Sequence, residues 1–346
     1  MKNIIWAQYN GSNNDWNKLV QSNSGSPYQL IEWSEYKKTL GWESIRLIAS
    51  NNEQFIFAAN ILVKKYVIFA VCYIPGGGFG MLQVLDKKFH HVICKIIGVP
   101  YIYLRVSFQQ AHTVSLQGSL LKNKWRKAKL KLGSSETMMY DLSHDENSRL
   151  LMASKNWRHN YKRSLKRDIN IYTPSSDDSI IIKNILENMQ RYKNLDTIFS
   201  EHEIKNILIK LDGILVLYYA LNSNGDLLGM RGALISGDRA VDFIAASTEC
   251  GRKEYSSYAL FWELSKECKR RGVIMYDMGG IDKLANHGVY NFKKGTGSVI
   301  VKYLGGYEWA GCIVSKIVIN VVVLLIASKN TIKQLSTIFR RHSLKN

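Results

Sequence analysis

Proline and cysteine are both scarce in this 346-residue sequence, and each shortage excludes a class of protein. Only four prolines are present, which argues against long disordered linkers between folded parts. The five cysteines are an odd number and include no Cys-x-x-Cys pair, so a disulfide scaffold does not fit. We therefore expect buried, reduced thiols in a protein of the cytoplasm.

Long hydrophobic runs are also lacking. The first residues do not contain the apolar stretch of a signal peptide, which supports the cytoplasmic prediction. One apolar segment, 317–327, has about eleven residues, whereas a helix needs about 20 to span a bilayer. Basic residues flank this segment, so we predict an apolar and basic helical tail over 311–346. The tail either lies at the inner face of the membrane or packs on the protein body.

Acidic residues are in the minority, with 28 Asp and Glu against 47 Lys and Arg, and the formal net charge is +19. A surface this positive attracts polyanions, such as nucleic acid, diphosphate-bearing precursors or anionic lipid headgroups. The alternative is a solvated basic surface without a specific partner. Basic residues are concentrated between 155 and 167, where we predict one long helix over 147–167.

Familiar catalytic motifs are missing as well. The sequence contains no His-Glu-x-x-His, no Cys and His spacing for a metal, no Gly-x-Ser-x-Gly and no Walker-type phosphate loop. The glycine run 76–80 does not have the Gly-x-Gly-x-x-Gly spacing of a dinucleotide site. We therefore predict neither a metal nor a cofactor.

The order of predicted elements indicates an α+β fold. Residues 150–310 contain two helices, three antiparallel strands, a helix, a strand and a final strand, which resembles the GNAT-like acyltransferase fold. The mixed strands before residue 150 indicate a second, degenerate copy. We expect two tandem GNAT-like domains with mixed, mainly antiparallel sheets flanked by helices. Their ranges are 1–146, on the acceptor side, and 147–310, with 311–346 as the tail.

The most informative region is 247–309, where four motifs occur in order. The motifs are the strand-loop-helix around Tyr255-Ser256-Ser257-Tyr258, the strand end Tyr276-Asp277-Met278-Gly279-Gly280, the segment Asn291-Phe292-Lys293-Lys294-Gly295 and the closing strand Tyr303-Leu304-Gly305-Gly306-Tyr307. With these motifs the sequence resembles the FemABX family, aminoacyltransferases that extend peptidoglycan precursors using aminoacyl-tRNA.

A weaker resemblance extends to the first half. Trp33-Ser34-Glu35-Tyr36-Lys37 is similar to an early Trp-x-x-x-Lys stretch of the family, and Tyr73-Ile74-Pro75-Gly76 to its Tyr-x-Pro-Arg stretch. Two departures stand out. Glycines replace the usual Arg and Pro around that turn, and Arg105-Val106-Ser107 stands where the family often has an acidic residue and Pro.

The resemblance implies roles for two residues in the transfer reaction. Lys293 would stabilise the oxyanion of the tetrahedral intermediate, an interaction with a large effect on rate. Asp277 would orient Lys293, accept a proton from the amine or hold the donor's amino group. The alternatives are a surface lysine on a strand and a carboxylate that caps the Gly279-Gly280 turn.

The same resemblance implies a set of substrate-binding residues. Lys37 would bind the diphosphate of the acceptor, with Arg191 as the nearest candidate for the family's second diphosphate ligand. The alternative for Lys37 is a solvated helix residue. The other predicted contacts are with Trp33, Tyr73 and Tyr255.

The donor is inferred from a missing loop. Enzymes of this fold that use acyl-CoA have a glycine-rich loop whose backbone N–H groups bind the pyrophosphate. The equivalent stretch, 249–256, has one glycine and the bulky Tyr255, which favours aminoacyl-tRNA over acyl-CoA. An acyl-CoA-dependent N-acyltransferase for an amino sugar of surface polysaccharide is the alternative enzyme. A degenerate protein that only binds anionic membrane or RNA is the third hypothesis.

Overall fold

The computed structural model describes residues 4–129, 133–193, 199–284 and 286–309, together with six positions between 313 and 321. Its first half contains the strands β1 (Ile5–Gln8), β2 (Glu43–Asn51), β3 (Gln54–Lys65), β4 (Phe69–Ile74), β5 (Phe79–Gly80), β6 (Tyr101–Ala111) and β7 (Trp125–Lys127). The helices of this half are α1 (Asn13–Ser22), α2 (Ile31–Lys38), α3 (Lys87–Ile97) and α4 (Val114–Lys122).

The second half contains β8 (Glu136–Asp141), β9 (Asn170–Tyr172), β10 (Leu215–Leu221), β11 (Leu227–Ser236), β12 (Arg239–Ser247), β13 (Met275–Gly280) and β14 (Val299–Trp309). Its helices are α5 (Glu146–Met152), α6 (Lys155–Ser164), α7 (Ser179–Lys193), α8 (Glu201–Lys210), α9 (Glu249–Lys253), α10 (Ser256–Arg270) and α11 (His287–Gly295). Short 3-10 turns at Pro27–Gln29, Leu82–Val84 and Ser176–Asp178 complete the described elements.

The two halves repeat one topology. In each, three antiparallel strands are followed by a helix and by a strand parallel to the third: β2, β3, β4, α3 and β6 in the first half, and β10, β11, β12, α10 and β13 in the second. A helix is the usual connection between parallel strands because the chain must return to the same end of the sheet. The expected pair of tandem GNAT-like units is confirmed by this repeat.

Strand β14 joins the halves into one mixed sheet. Its first part, Val299 to Lys302, pairs with β8, and its later part, from Tyr303, pairs with β6. The strand order among the described residues is β1-β2-β3-β4-β6-β14-β8-β13-β12-β11-β10-β9, with β5 on β3 and β7 on β14. Because β8 precedes the expected boundary at 146 but pairs with β13, the second unit takes strand residues from both sides of that position.

Hydrophobic cores lie on the helix-covered faces of the sheet. In the first half Phe89 of α3 packs against Phe57 of β3, and in the second Phe261 of α10 packs against Trp157 of α6 and Tyr276 of β13. A third core joins α1 and α2 to α8 and β11, which contribute residues of the other half. Burial of each large apolar side chain contributes roughly 1.5–3 kcal/mol, so these shared cores hold the halves in one arrangement.

Two parts of the prediction were wrong. The helix expected over 147–167 is two helices, α5 and α6, separated at Ala153 and Ser154. The Ser154 hydroxyl accepts the backbone N–H of Trp157 and so begins a new helix. Lys293 lies on helix α11, whereas the surface alternative assumed a strand.

The predicted tail, 311–346, lies almost entirely outside the described residues. Within the part of the chain that the structure describes, no helix combines the length and apolarity required to cross a bilayer.

Candidate active site

The end of β13 is shaped by a backbone irregularity. β13 pairs with β12 only from Met275 to Asp277, and its register with β8 shifts between Asp277 and Gly280. Gly279 has a φ of +78°, a conformation that side chains with a Cβ disfavour. The Gly279 N–H donates to Asp277 Oδ1 at 2.8 Å, so the carboxylate fixes this irregularity.

Asp277 is buried beneath this turn, with 5% of its surface exposed. Its Oδ1 also accepts a short hydrogen bond from the Thr137 hydroxyl, and its Oδ2 accepts one from the Tyr303 hydroxyl at 2.8 Å. Burial raises the pKa of Asp277 above its ordinary value, although these donors oppose the shift. Asp277 is thus a buried carboxylate with raised basicity, and it performs the turn-capping role considered above.

Lys293 approaches the same turn from α11. Its Nζ donates to the carbonyl oxygens of Gly279 at 3.0 Å and Gly280 at 2.9 Å, and the residue is 6% exposed. Burial lowers the pKa of Lys293. An ammonium has three N–H bonds, and the hydrogen-bond partners found for it among the described residues are these two carbonyls. One N–H therefore remains for a further acceptor.

An ion pair next to β13 was missed by the sequence analysis. Arg231 on β11 donates to both carboxylate oxygens of Asp242, with Nε to Oδ1 at 3.0 Å and Nη2 to Oδ2 at 3.1 Å. The Tyr276 hydroxyl donates to the same Oδ1 at 2.7 Å. The signal in the sequence was an arginine in the middle of the apolar run 227–236, where an unpaired charge is costly.

A cavity of about 700 Å³ lies between the two halves, within the size range of small-molecule sites. β12, β13 and β14 form one side of it, and α2, β4 and β6 form the other. The first half lines the cavity with Tyr28, Trp33, Lys37, Tyr73, Arg105 and Lys127. The second half lines it with Thr137, Asp242, Asp277, Gly279, Gly280, Tyr303, Gly305 and Gly306.

Four of the predicted site residues meet in this cavity although they are far apart in sequence. Asp277, Trp33, Lys37 and Tyr73 all line it, and Lys293 supports its floor through the carbonyls of Gly279 and Gly280. The predicted roles of these residues stay predictions, but the structure brings the residues together.

Lys37 lies against aromatic side chains at the edge of the cavity. Its Nζ is 4.6 Å from the centre of the Trp33 ring and 4.7 Å from that of Tyr36, which are cation–π distances. Burial lowers the pKa of Lys37. The residue is therefore a partly buried cation held by two rings, which differs from the alternative of a fully solvated helix residue.

The remaining two predicted residues lie outside the cavity lining. Arg191 is exposed on α7, where its Nη2 reaches Asn188 Oδ1 at 3.5 Å. Tyr255 precedes α10 with a φ of +59°, and its hydroxyl accepts from Arg163 Nη1 at 2.7 Å. Their substrate contacts stay predictions, and Tyr255 belongs to a separate basic surface.

Tyr303 and Arg105 are further lining residues that could have been found from sequence. Tyr303 opens the closing-strand motif, and Arg105 was noted only as a departure from the family pattern. Their position in the cavity depends on the pairing of β14 with both β6 and β8, which local sequence does not specify.

Comparison with known proteins identifies a family whose model covers several residues of this site. The model of the FemAB family matches residues 228–318, which include Arg231, Asp242, Asp277 and Lys293. None of the curated proteins matches the chain in sequence. The predicted FemABX resemblance and the predicted acyltransferase class are confirmed by the family match.

Two solved structures illustrate the shared fold. The crystal structure of FemX is 15% identical, with a TM-score of 0.78, and the match covers 88% of this chain and 97% of that chain. A tandem GNAT protein from the clavulanic acid biosynthesis pathway is 9% identical, with a TM-score of 0.54, over 88% of this chain and 98% of that chain. These similarities confirm the tandem GNAT-like fold.

Proposed function

We propose that this protein transfers an amino acid from aminoacyl-tRNA to an amine of a peptidoglycan precursor or another cell-envelope precursor. The observation that supports it most is the cavity between the halves, where Asp277 faces the interior and Lys293 lies beneath the Gly279-Gly280 floor. The cavity also contains Lys37, the proposed ligand of an acceptor diphosphate.

In the proposed reaction, the acceptor amine attacks the ester carbonyl carbon of the aminoacyl-tRNA. A C–N bond forms, the ester C–O bond breaks, and the terminal ribose hydroxyl of the tRNA leaves. Asp277, whose pKa is raised by burial, accepts a proton from the attacking nitrogen, and a proton ends on the departing ribose oxygen. The remaining N–H of Lys293 donates to the oxyanion of the tetrahedral intermediate.

The segment before α10 supports a donor other than acyl-CoA. The Gly251 N–H donates to Thr248 Oγ1 at 3.0 Å, so this amide is already used within the protein. A Cβ on Gly251 would lie 1.7 Å from the Leu228 carbonyl oxygen, which explains the glycine by close packing. The single glycine of this stretch therefore serves the fold, and Tyr255 occupies the turn into the helix.

A basic surface around Tyr255 supports a tRNA donor. Arg163 donates to the Tyr255 hydroxyl and stacks with its ring at 5.4 Å, and Arg167 pairs with Glu254 at 3.2 Å. Lys162 and Lys166 are exposed nearby in sequence. Arginine and lysine beside a half-buried aromatic ring suit phosphates and bases of RNA.

The donor is tested by incubating the protein with tRNA charged with radiolabelled amino acids or with radiolabelled acetyl-CoA. A nucleotide-linked muramyl peptide and an amino sugar serve as acceptors. Transfer from tRNA to the muramyl peptide supports the proposal. Transfer only from acetyl-CoA to the amino sugar would establish the alternative N-acyltransferase.

The basic surface is tested with a double charge reversal, Lys162→Glu with Lys166→Glu. We expect weaker tRNA binding and a shallower dependence of affinity on salt, because two phosphate contacts are lost. The matched control is Lys205→Glu with Lys210→Glu on α8, which makes the same charge change on another exposed surface. Equal losses in both variants would show a non-specific effect of charge.

Location remains part of the proposal. We place the protein in the cytoplasm, where charged tRNA is present, with the predicted tail as a peripheral contact at the inner membrane face. Flotation of the full chain with anionic and neutral vesicles, compared with a chain lacking 311–346, tests the contact. Equal flotation of both chains would contradict it.

A further inference from the structure

Two cations converge on one wall of the cavity, at the glycine pair of β14. A Cβ on Gly306 would lie 3.3 Å from Arg105 Nη2, and a Cβ on Gly305 would lie 4.0 Å from Lys127 Nζ. Both cationic residues line the cavity. Because glycines have no side chain, the guanidinium and the ammonium can both approach the cavity at this place.

Among the residues that the structure describes, the positive charges around this wall outnumber the negative ones. Arg105 Nη1 lies 3.5 Å from Glu308 Oε1, and Arg126 Nε lies 3.8 Å from Glu308 Oε2, so two guanidinium groups share one carboxylate. Glu308 is fully buried and also accepts from the Tyr103 hydroxyl at 2.8 Å. Lys127 adds a further positive charge. An excess of positive charge beside a partly enclosed cavity favours an anionic ligand.

Lys127 is anchored so that it stays at this wall. Its Nζ donates a short hydrogen bond to the Leu304 carbonyl oxygen and lies 4.3 Å from the centre of the Tyr307 ring. Burial and the neighbouring Lys302 lower the pKa of Lys127, which a bound anion would reverse. The lysine is therefore positioned, although much of its side chain remains in contact with solvent.

The side of the cavity formed by β12 and β13 contains carboxylates, Asp242 and Asp277, where the β14 wall contains cations. Asp242 is neutralised by Arg231, whereas Asp277 is held by neutral donors from Thr137, Tyr303 and Gly279. A molecule with an amine at one end and an anionic group at the other would match both sides. Such a molecule could bind in only one orientation, which would present its amine to Asp277.

We propose that Arg105 and Lys127 form an anion subsite for the acceptor, which has a carboxylate or a phosphate in addition to its reactive amine. The inference rests on the proposed function only in naming the bound molecule as the acceptor.

The test measures binding of two matched ligand pairs by calorimetric titration. L-Lysine and L-lysinamide differ by a carboxylate, and O-phosphoethanolamine and ethanolamine differ by a phosphate. We expect the anion-bearing member of at least one pair to bind at least about tenfold more tightly than the member that lacks the anion. The pair that shows the preference identifies the anion as carboxylate or phosphate.

Two variants connect the preference to the subsite. Lys127→Gln removes one cation at a largely exposed position. Arg105→Gln removes the guanidinium that lines the cavity, and the buried Glu308 keeps Arg126 and the Tyr103 hydroxyl as partners. We expect each variant to reduce the preference several-fold, whereas Lys122→Gln, a control on α4 with the same charge change, leaves it intact.

The outcomes separate the subsite from the proposed function. Equal binding within both pairs, no binding of either anion-bearing ligand, or a preference that persists in both variants would refute the subsite. A preference that depends on Arg105 and Lys127 would support the subsite even if neither charged tRNA nor acetyl-CoA acted as a donor. In that case only the proposed transfer reaction would be refuted.

Discussion

The Lys293→Met variant is the most direct test of the candidate active site. Methionine keeps most of the length and volume of the buried stem but removes the ammonium that donates to Gly279 and Gly280. If the same ammonium stabilises an oxyanion, the variant loses that stabilisation in the transition state. If the lysine only supports the floor, the variant loses two backbone hydrogen bonds and nothing in the chemical step.

The two roles differ in the size and kind of their effects. Loss of one oxyanion donor lowers kcat by about 10²–10³, which corresponds to about 3–4 kcal/mol. Loss of the floor contacts costs about 1–3 kcal/mol of unfolding free energy, since each carbonyl loses a charged donor but the buried ammonium no longer needs desolvation. We therefore expect a large drop in kcat with a decrease in Tm of several degrees.

The assay follows transfer of a radiolabelled amino acid from charged tRNA to a nucleotide-linked muramyl peptide, with kcat and KM measured separately. Thermal unfolding by circular dichroism reports the folded fraction. Lys294→Met is the matched control, because Lys294 is the exposed neighbour on the same helix. The control should retain wild-type kcat and Tm.

The pH dependence provides an independent readout. Burial lowers the pKa of Lys293, and the oxyanion role requires the protonated form. Activity should therefore decline on the alkaline side at a lower pH than an ordinary lysine would give, and Lys293→Arg should move this decline to higher pH. A Lys293→Met variant that stays folded and retains more than about a tenth of wild-type kcat would refute the role.

Three further variants test other parts of the structure. Asp277→Asn should abolish transfer but preserve or raise Tm at neutral pH. Burial raises the pKa of this carboxyl, so its contribution to stability is present below pH 3.8 and is lost as the pH rises through the raised pKa. The difference in Tm between the variant and the wild type should therefore vanish in acid. Gly251→Ala should lower the unfolding free energy by about 3 kcal/mol or more in denaturant titrations, because its Cβ would lie 1.7 Å from a carbonyl oxygen of β11. The control Gly288→Ala places its Cβ in open space, so its unfolding free energy should stay within about 1 kcal/mol of wild type. Lys37→Met should raise the KM for the acceptor about tenfold with little change in kcat, while the exposed neighbour Lys38→Met should leave both unchanged.

Much of the second half could be predicted because its apolar runs are long and lie between turn-forming residues. The apolar run 227–236 forms strand β11 over its whole length, and the helix of the strand-loop-helix motif begins at Ser256 and ends at Arg270. In both cases local pattern and tertiary burial agree, since β11 is a central strand and α10 covers the sheet. The sequence predicted those parts of the fold where the apolar pattern alone determines the type of element.

The elements that were missed or misjudged depend on weaker or competing signals. Helix α8 has a modest apolar face, although the Ser200 hydroxyl caps it by accepting the backbone N–H of Glu203. The break between α5 and α6 depends on one serine inside a long basic run. Helix α11 contains glycines at both 288 and 295, which reduce its intrinsic helix propensity. Tertiary packing decided these cases.

The candidate site shows why a doubled fold is needed for this cavity. Asp277 and Lys293 come from the second half, whereas Lys37, Tyr73 and Arg105 come from the first. Neither half alone encloses the space between them, and β14 holds them in register by pairing with β8 at one end and β6 at the other. The first half therefore supplies part of the wall of the cavity that Asp277 lines, and the proposed reaction would need both halves.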